Sequence, residues 1–437
     1  MSAAGSSADE RRNRPRRRSI RAVMVDTAPL RESPAYRRIW AGNGLSAIGG
    51  QMTNYAVLLQ VFLLTHRSLA VGLVGLAIAA PTIVVSLGAG PLIDRIDRRR
   101  TVLTCTGIQV GLSAALAVQA FAHLDRVWLL YLLVAVQASV GGVSAPARRT
   151  FMPTLLPKDQ LAAGAALQIL TMHGSATIGP ALAGLLTAAG GLRVCYVVDA
   201  ASFVFALYGV ARLPPSLPRS SATASRGMRA AVEGFRFIRR QRPVLGAIVA
   251  DMSAAFLAMP IALFPAINAA RFGGDPTTLG LMTTAVATGG ILGASLSGPA
   301  SRLRRRGLGI LTAGTVWGLG IVAFGFADSF WLAALSLLVA GAGDSTAVVL
   351  RTAVVQELTP DELRGRVSAA EFAAGAGVAQ LGNLRAGALA SLTSPGVAAV
   401  GGGLSAVAGA VLVGTLVPAL VTLDRSPTAA PANRPSG

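Results

Sequence analysis

Composition and charge exclude two large classes of protein. The chain has 437 residues, of which 53% are hydrophobic and only 13% are charged. Soluble domains carry about a quarter charged residues, so this composition indicates that lipid surrounds much of the chain. The net charge of +20 would suit a nucleic-acid-binding protein if the basic residues formed one soluble patch. They lie instead in short runs between apolar stretches, so we expect a lipid bilayer, and no nucleic acid, as a partner.

Residue types that catalyse reactions and hold metals are sparse. Cys105 and Cys195 lie within apolar segments without a CxxC spacing, and the three histidines are scattered along the chain. The sequence also lacks a glycine-rich phosphate loop, an HExxH motif and a GxSxG motif. We therefore predict no enzyme activity, no metal and no bound cofactor.

Apolar windows long enough to cross a bilayer, about 20 residues, recur along the whole chain. Because backbone polar groups in lipid must bond within their own segment, each window is predicted to be a helix. The predicted spans are 39–62, 70–93, 101–122, 127–147, 161–188, 194–213, 244–268, 278–298, 308–327, 330–350, 364–390 and 396–422. The predicted fold class is an all-α integral membrane protein with twelve transmembrane helices.

The basic residues predict the orientation of these spans. Of the 39 Lys and Arg residues, the loops on one side carry only Arg67, Arg126, Arg193 and Arg271, and Arg385 falls inside a span. Positively charged loops stay in the cytoplasm. We therefore expect a multi-pass protein of the inner (cytoplasmic) membrane with both termini in the cytoplasm.

A polar, basic stretch separates six predicted spans from the other six. We predict a basic disordered cytoplasmic tail over 1–35, a six-helix bundle over 36–213, a cytoplasmic connector over 214–242, a second six-helix bundle over 243–423 and a disordered cytoplasmic tail over 424–437. Both tails are poor in the apolar residues that folding needs.

Short features of the first half recur in order in the second half. The pairs are GL at 72–73 and 280–281, GP at 90–91 and 298–299, both at an offset of 208 residues, and RT at 149–150 and 351–352 at an offset of 202. Such repetition indicates a duplication. Two pseudo-repeats with a cavity between them suit a carrier that works by alternating access.

The loop after the second predicted span reads GPLIDRIDRRR over 90–100. It resembles the signature loop of the major facilitator superfamily, with Asp97 where many members have glycine. The resemblance implies that superfamily's fold and a conformational latch, which we assign to Gly90, Asp94, Arg95 and Arg98. Physically, the start of span eleven would stabilise the Asp94 carboxylate. The alternative is that the loop only keeps positive charge inside.

Predicted span five contains HGSATIGPALAG at 173–184, which resembles the glycine-proline motif of antiporters in that superfamily and therefore implies export. We assign helix kinking and packing to Gly174, Gly179, Pro180 and Gly184. Glycine allows close approach of a neighbouring helix, and proline removes one backbone hydrogen bond.

From about residue 36 to 420 the chain is most similar to the enterobactin-exporter-like and macrolide-efflux-like branch. The similarity is carried by LTHRSLAVGL at 64–73, GFRF at 234–237 and TPDELRGRV at 359–367. In the last segment, Thr359 and Glu362 also predict a capping box for span eleven, with Pro360 in its first turn.

Ionisable residues within the predicted spans are candidates for coupling, because burying a charge in a bilayer costs several kcal/mol by most estimates. We favour Asp251 and then Glu371, each about 12 Å inside its span. Asp199 and Arg385 are further candidates, nearer the outer face, where their side chains could extend to the membrane surface. Asp344 is interpreted as structural. The alternative for each carboxylate is a neighbouring hydroxyl or arginine that balances it without titration.

Asn43, Gln51 and Asn54 lie on or beside one face of predicted span one. We predict that they line a cavity, and helix packing is the alternative.

These features predict a monomeric secondary transporter that exports a medium-sized amphipathic small molecule, such as a siderophore, macrolide or other natural product. We expect a proton gradient to drive it as an antiporter. The alternatives are a broad multidrug pump, an importer of the same fold, or a membrane sensor or scaffold that transports nothing.

Overall fold

The computed structural model describes residues 26–88, 97–149, 151–213, 227–300 and 305–423. Twelve long helices, α1 to α12, run through these ranges. They are α1 Pro34–Thr65, α2 Ser68–Gly88, α3 Arg98–Phe121, α4 Val127–Arg149, α5 Leu161–Gly190, α6 Leu192–Ala211, α7 Arg242–Ala258 continued by Phe264–Arg271, α8 Pro276–Ala300, α9 Arg306–Phe326, α10 Phe330–Leu358, α11 Asp361–Leu392 and α12 Pro395–Leu416.

Eleven of these helices are long and apolar enough to cross a membrane, with α7 counted through its break. The twelfth is α11, which has 32 residues and carries charged side chains from its first turn onward. Each predicted span corresponds to one helix, so the predicted all-α membrane fold is confirmed. Several helices extend beyond the predicted spans. As a result, Arg148 and Arg351, which follow predicted spans directly, lie inside helices.

Polar caps begin several of the helices. The side chains of Ser33, Asp97, Ser329 and Ser394 accept hydrogen bonds from backbone amides at the starts of α1, α3, α10 and α12. Such caps satisfy amides that have no partner within the helix.

The capping box predicted for α11 is wrong. The Thr359 hydroxyl donates to the Val355 carbonyl at 2.6 Å, and no side chain caps α11. The hydroxyl therefore bonds to the end of α10, a local alternative common for threonine.

Helix α7 is interrupted in the middle of its sequence. Its first segment ends at Ala258, a short 3₁₀ turn follows at Ile261–Leu263, and helix resumes at Phe264. Pro260 explains the break, because its ring clashes with the carbonyl of Phe256 and its nitrogen carries no hydrogen.

Helices α1 to α6 pack mainly with each other, as do α7 to α12, and the two groups meet along two seams. One seam is between α2 and α11, and the other is between α5 and α8. Along both seams, glycines on one bundle lie against backbone of the other. We call the end of the molecule with the loops at 66–67, 191 and 272–275 the distal end, since both described chain ends lie at the opposite one.

A further helix, Gly227–Arg240, lies within the predicted connector. It packs against α11, where Glu233 forms an ion pair with Arg366 at 2.5 Å. A Cβ on Gly234 would lie 2.2 Å from the Arg366 carbonyl, so only glycine permits this approach. The domain boundaries themselves stay a prediction.

Candidate functional site

The C-terminal bundle contains a buried charged cluster built on Arg351 of α10. Its guanidinium lies 2.9 Å from the Asp251 carboxylate of α7 and 3.9 Å from Glu371 of α11. The three side chains are 14%, 11% and 14% exposed. At 3.9 Å Glu371 is too far for a hydrogen bond, and its Oε1 atom has no partner.

Asp344 also belongs to this cluster. It lies on α10 seven residues before Arg351, and it interacts electrostatically with both Asp251 and Arg351. Two carboxylates therefore share one guanidinium directly, with Asp344 nearby, and the cluster is net negative when all three acids are ionised. Chemically, such a group of acids can bind a proton at low cost, because each proton removes repulsion between like charges.

The structure brings together Asp251 and Glu371, which the sequence analysis named separately. It also places Arg351, assigned by sequence to a loop, inside α10, because that helix continues to Leu358. The apolar window ended at the arginine, which is why sequence reasoning missed its role. The coupling roles themselves stay predictions.

The N-terminal bundle has a related site around Arg148 of α4. Its guanidinium donates to the Thr106 hydroxyl of α3 at 2.8 Å and to the Asn43 amide oxygen of α1. Sequence reasoning assigned Arg148 to a loop as well, although α4 runs to Arg149. Asn43, predicted to line a cavity, is thus a hydrogen-bond partner of a charged group.

Asp199 lies on α6 among helices of the N-terminal bundle. It has no exposed surface, and its Oδ2 atom accepts hydrogen bonds from Thr53 at 2.8 Å and Ser113 at 2.7 Å. The expectation that this side chain extends to the membrane surface is wrong, because α1 and α3 both cover it.

Arg385 of α11 is held against α7. Its guanidinium donates to the carbonyls of Phe256, at 3.1 Å, and Leu257. These carbonyls lose their helical partners where Pro260 interrupts α7. Asn383, one half-turn earlier, accepts from the Ala262 amide at 3.2 Å, so α11 satisfies both sides of the break.

Two cavities lie beside the predicted polar face of α1. One, of about 340 Å³, is lined by Gln51 and Asn54 together with Gln109 and Gln137 of α3 and α4. The other, of about 180 Å³, lies between the bundles and includes Gln51 and Asn54 again, with Gln380 of α11. Amide side chains dominate the polar lining, and they can donate and accept hydrogen bonds without carrying charge.

Beside the second cavity, which Tyr55 helps to line, the bundles are in direct contact. The Tyr55 hydroxyl of α1 donates to the Pro276 carbonyl of α8 at 2.6 Å. On the α5–α8 seam, Thr284 donates to the Thr177 carbonyl at 3.0 Å. The first bond joins the bundles at the start of α8, on the distal side, and the second joins them about two turns further along the same helix.

The glycine-proline motif lies on that seam. A Cβ on Gly184 would lie 2.8 Å from the Pro276 carbonyl, and one on Gly179 would lie 2.5 Å from the Gln51 Cβ of α1. Pro180 faces the seam, since its carbonyl would be 2.4 Å from a Cβ on Gly280. Gly174 differs, because a Cβ there would meet nothing within 4 Å.

Most of the predicted latch lies outside the described residues, namely Gly90, Asp94 and Arg95. Arg98 begins α3, and Asp97 caps it by accepting from the amides of Arg99 at 2.8 Å and Arg100 at 3.4 Å. This cap is a physical reason for the acid at 97. Within the described ranges, no group of three or more His, Cys, Asp or Glu side chains is arranged to hold a metal ion.

Comparison with known proteins decides the family. A family model described as "Transmembrane secretion effector" matches residues 25–434. The chain belongs to this family of the major facilitator superfamily. It is therefore a multi-pass membrane transporter and not an enzyme.

A relative of this chain supports the same assignment. The chain is 25% identical over 399 residues to the enterobactin exporter EntS of Shigella boydii serotype 18 (strain CDC 3083-94 / BS512). The matched region covers 90% of this chain and 93% of the relative.

Two solved structures share its fold. The nucleoside transporter NupG has a TM-score of 0.71 at 13% identity, with 89% of this chain and 100% of that one covered. A bacterial homologue of the iron transporter ferroportin, in an inward-facing state, has a TM-score of 0.68 at 16% identity, with 89% and 99% covered.

Proposed function

We propose that this transporter exports a medium-sized amphipathic small molecule of the siderophore kind by alternating access, driven by protons that move into the cell. The family description and the similarity to a protein named as an enterobactin exporter support export and this substrate class. The amide-lined cavities support an amphipathic ligand, because their walls combine uncharged hydrogen-bonding groups with apolar side chains.

The orientation that the basic residues predict indicates which side of the membrane the distal end faces. With both termini in the cytoplasm of the cell, the distal end faces outward. The bonds from Tyr55 and Thr284 then join the bundles toward the outer side, which supports an inward-facing conformation that takes substrate from the cytoplasm. Rocking of the two bundles about the central cavity would open the outer side.

The observation that carries the proton coupling is the sharing of one guanidinium by two buried carboxylates, Asp251 and Glu371. Asp251 is paired to Arg351 at 2.9 Å, whereas Glu371 is held at 3.9 Å without a hydrogen bond. A proton on this cluster would weaken the links between α7, α10 and α11, and its release would restore them. Protonation would thus alter the packing of the C-terminal bundle, which is what coupling requires.

The test uses the purified full chain in proteoliposomes with enterobactin as the probe and an imposed pH gradient. We expect proton-driven enterobactin transport by the wild type and a decrease of about tenfold or more in Asp251→Asn and Glu371→Gln, equivalent to about 1.4 kcal/mol or more in the barrier. A matched control is Glu357→Gln, which removes a carboxylate on α10, the helix of Arg351. This carboxylate is 40% exposed and pairs with Arg306.

Other outcomes would decide between the alternatives. Transport of many unrelated cations and neutral drugs would indicate a multidrug pump, and net uptake under every gradient would indicate an importer. No flux of any probe would favour a sensor or scaffold. Wild-type rates and pH dependence in both cluster variants would contradict the coupling role.

A further inference from the structure

Asp199 lies at a junction of α1, α3 and α6 and is sealed from solvent. Thr53 of α1 and Ser113 of α3, which are 1% and 0% exposed, both contact its Oδ2 atom. The Oδ1 atom has no hydrogen-bond partner. A Cβ on Gly49 would lie 2.7 Å from this atom, so the α1 backbone packs directly on the carboxyl group.

The surroundings of Asp199 contain no balancing cation. In the part of the chain that the structure describes, the groups that act on it are two hydroxyls and the Gln137 amide, and none of them is charged. Its neighbours Cys195 and Tyr196 on α6 are directed to Thr187 and Gln60 instead. A buried charge without a partner is expensive, which contrasts with Asp251 beside Arg351.

The two hydroxyls suit both protonation states of this carboxyl group. A hydroxyl can donate to a carboxylate or accept from a carboxylic acid, depending on how its hydrogen is turned. Thr53 and Ser113 can therefore keep their positions while a proton is gained or lost. An arginine partner, by contrast, can only donate and would favour the ionised form alone.

A short polar path links this junction to the cavity of about 340 Å³. Gln137 donates to the Ser113 hydroxyl at 3.3 Å, and the same residue lines that cavity. Because Gln137 lies between Ser113 and the cavity in this path, a rotation of its side chain would let water from the cavity reach the junction. The Asp199 O–H bond would then break, and the proton would pass to that water and leave a carboxylate.

We propose that Asp199 is a proton-binding site of the N-terminal bundle, which exchanges its proton with water in the cavity when Gln137 moves aside from Ser113. This site is separate from the Arg351 cluster and rests on the proposed proton-driven function. It would place one proton site in each bundle, on either side of the central cavity.

The experiment is infrared difference spectroscopy on the full chain in liposomes without substrate, stepping from about pH 9 to about pH 5, a range into which burial can bring carboxyl groups. We expect a reversible carbonyl band of a protonated carboxylic acid that is lost in Asp199→Asn and remains in Asp251→Asn. Gln137→Ala should speed hydrogen–deuterium exchange of the same band. No substrate is needed, so failure here is distinguishable from failure of the proposed export.

A second variant guards against misfolding of Asp199→Asn. Ser113→Ala removes one donor to the carboxylate while keeping Asp199, and we expect the midpoint of the band to move to higher pH. Bands of the Arg351 cluster remain in Asp199→Asn, so the decisive signal is the difference between the wild type and this variant. Identical spectra for the two, or a difference band that stays fully present at every pH, would overturn the proposal. A band that responds to sodium at constant pH would overturn it as well, because the site would then bind a metal cation.

Discussion

The two bundles place an arginine at a corresponding position but surround it with different side chains. Each places an arginine of its fourth helix, Arg148 or Arg351, against its first helix. Adding the repeat offset of 208 to Asn43 gives Asp251, so the partners of the two arginines are at equivalent positions in the sequence. The N-terminal bundle supplies a neutral amide there, and the C-terminal bundle supplies a carboxylate.

This difference shows that duplication preserved the position of the arginine but not the charge of the side chains that contact it. Arg148 bonds to Asn43 and Thr106, both neutral, whereas Arg351 is shared by acids. One bundle is thereby left with a positive site and the other with a negative one. Proton binding at the arginine is possible only in the second.

The largest expected effect comes from removing the two arginines in turn. Arg351→Gln leaves carboxylates buried without a cation, and we expect a loss of roughly 3–5 kcal/mol in the free energy of unfolding. Arg148→Gln leaves only neutral partners and should cost about 1–3 kcal/mol. Unfolding in a denaturing detergent measures both, and equal losses would contradict the proposed difference in charge balance.

A second comparison uses the equivalent glycines Gly72 and Gly280, which both face the opposite bundle. A Cβ on Gly72 would lie 2.9 Å from the Asn383 carbonyl, and one on Gly280 would lie 2.4 Å from that of Pro180. Replacing either with leucine should disfavour distal closure by about 1–3 kcal/mol.

Labelling of a cysteine at Thr283, which lines the cavity between the bundles, measures this closure. We expect about fivefold or more faster labelling in either leucine variant, in a background with Cys105 and Cys195 replaced. Gly314→Leu is the matched control, because a Cβ there meets nothing within 4 Å. Unchanged labelling in both seam variants would show that the glycines do not hold the distal end closed.

The smallest expected effect comes from making the N-terminal site resemble the C-terminal one. Asn43→Asp would give Arg148 a charged partner, and charge-assisted hydrogen bonds are stronger than neutral ones. We expect an increase of about 1 kcal/mol in the free energy of unfolding. Arg148→Gln combined with Asn43→Asp should abolish this gain, and a gain that survives the combination would have another origin.

The sequence was sufficient to predict the fold because long apolar runs and basic loops are properties of contiguous residues. The twelve helices and the two repeats follow from such local patterns. The offset of 202 paired Arg149 with Arg351, but the contacts make Arg148 the counterpart. A slip of one residue on a helix turns a side chain by about 100°, and only the packed structure resolves it.

The candidate site was less accessible to prediction because its contacts join distant parts of the chain. Asp251, Arg351 and Glu371 come from three helices, and nothing local in the sequence brings them together. The depth of Asp199 was also misjudged, since its position along α6 does not reveal that α1 and α3 cover it. The helix at Gly227–Arg240 does not follow from the sequence, because its dense basic residues are equally typical of a cytoplasmic loop.

The break in α7 has a mechanical consequence. Pro260 would ordinarily allow the two segments of α7 to bend relative to each other. Arg385 and Asn383 of α11 hold the loose ends on both sides, so bending at Pro260 would sacrifice several polar bonds inside the membrane. We therefore expect α7 and α11 to move together as one rigid unit, while the two bundles shift relative to each other along the glycine seams.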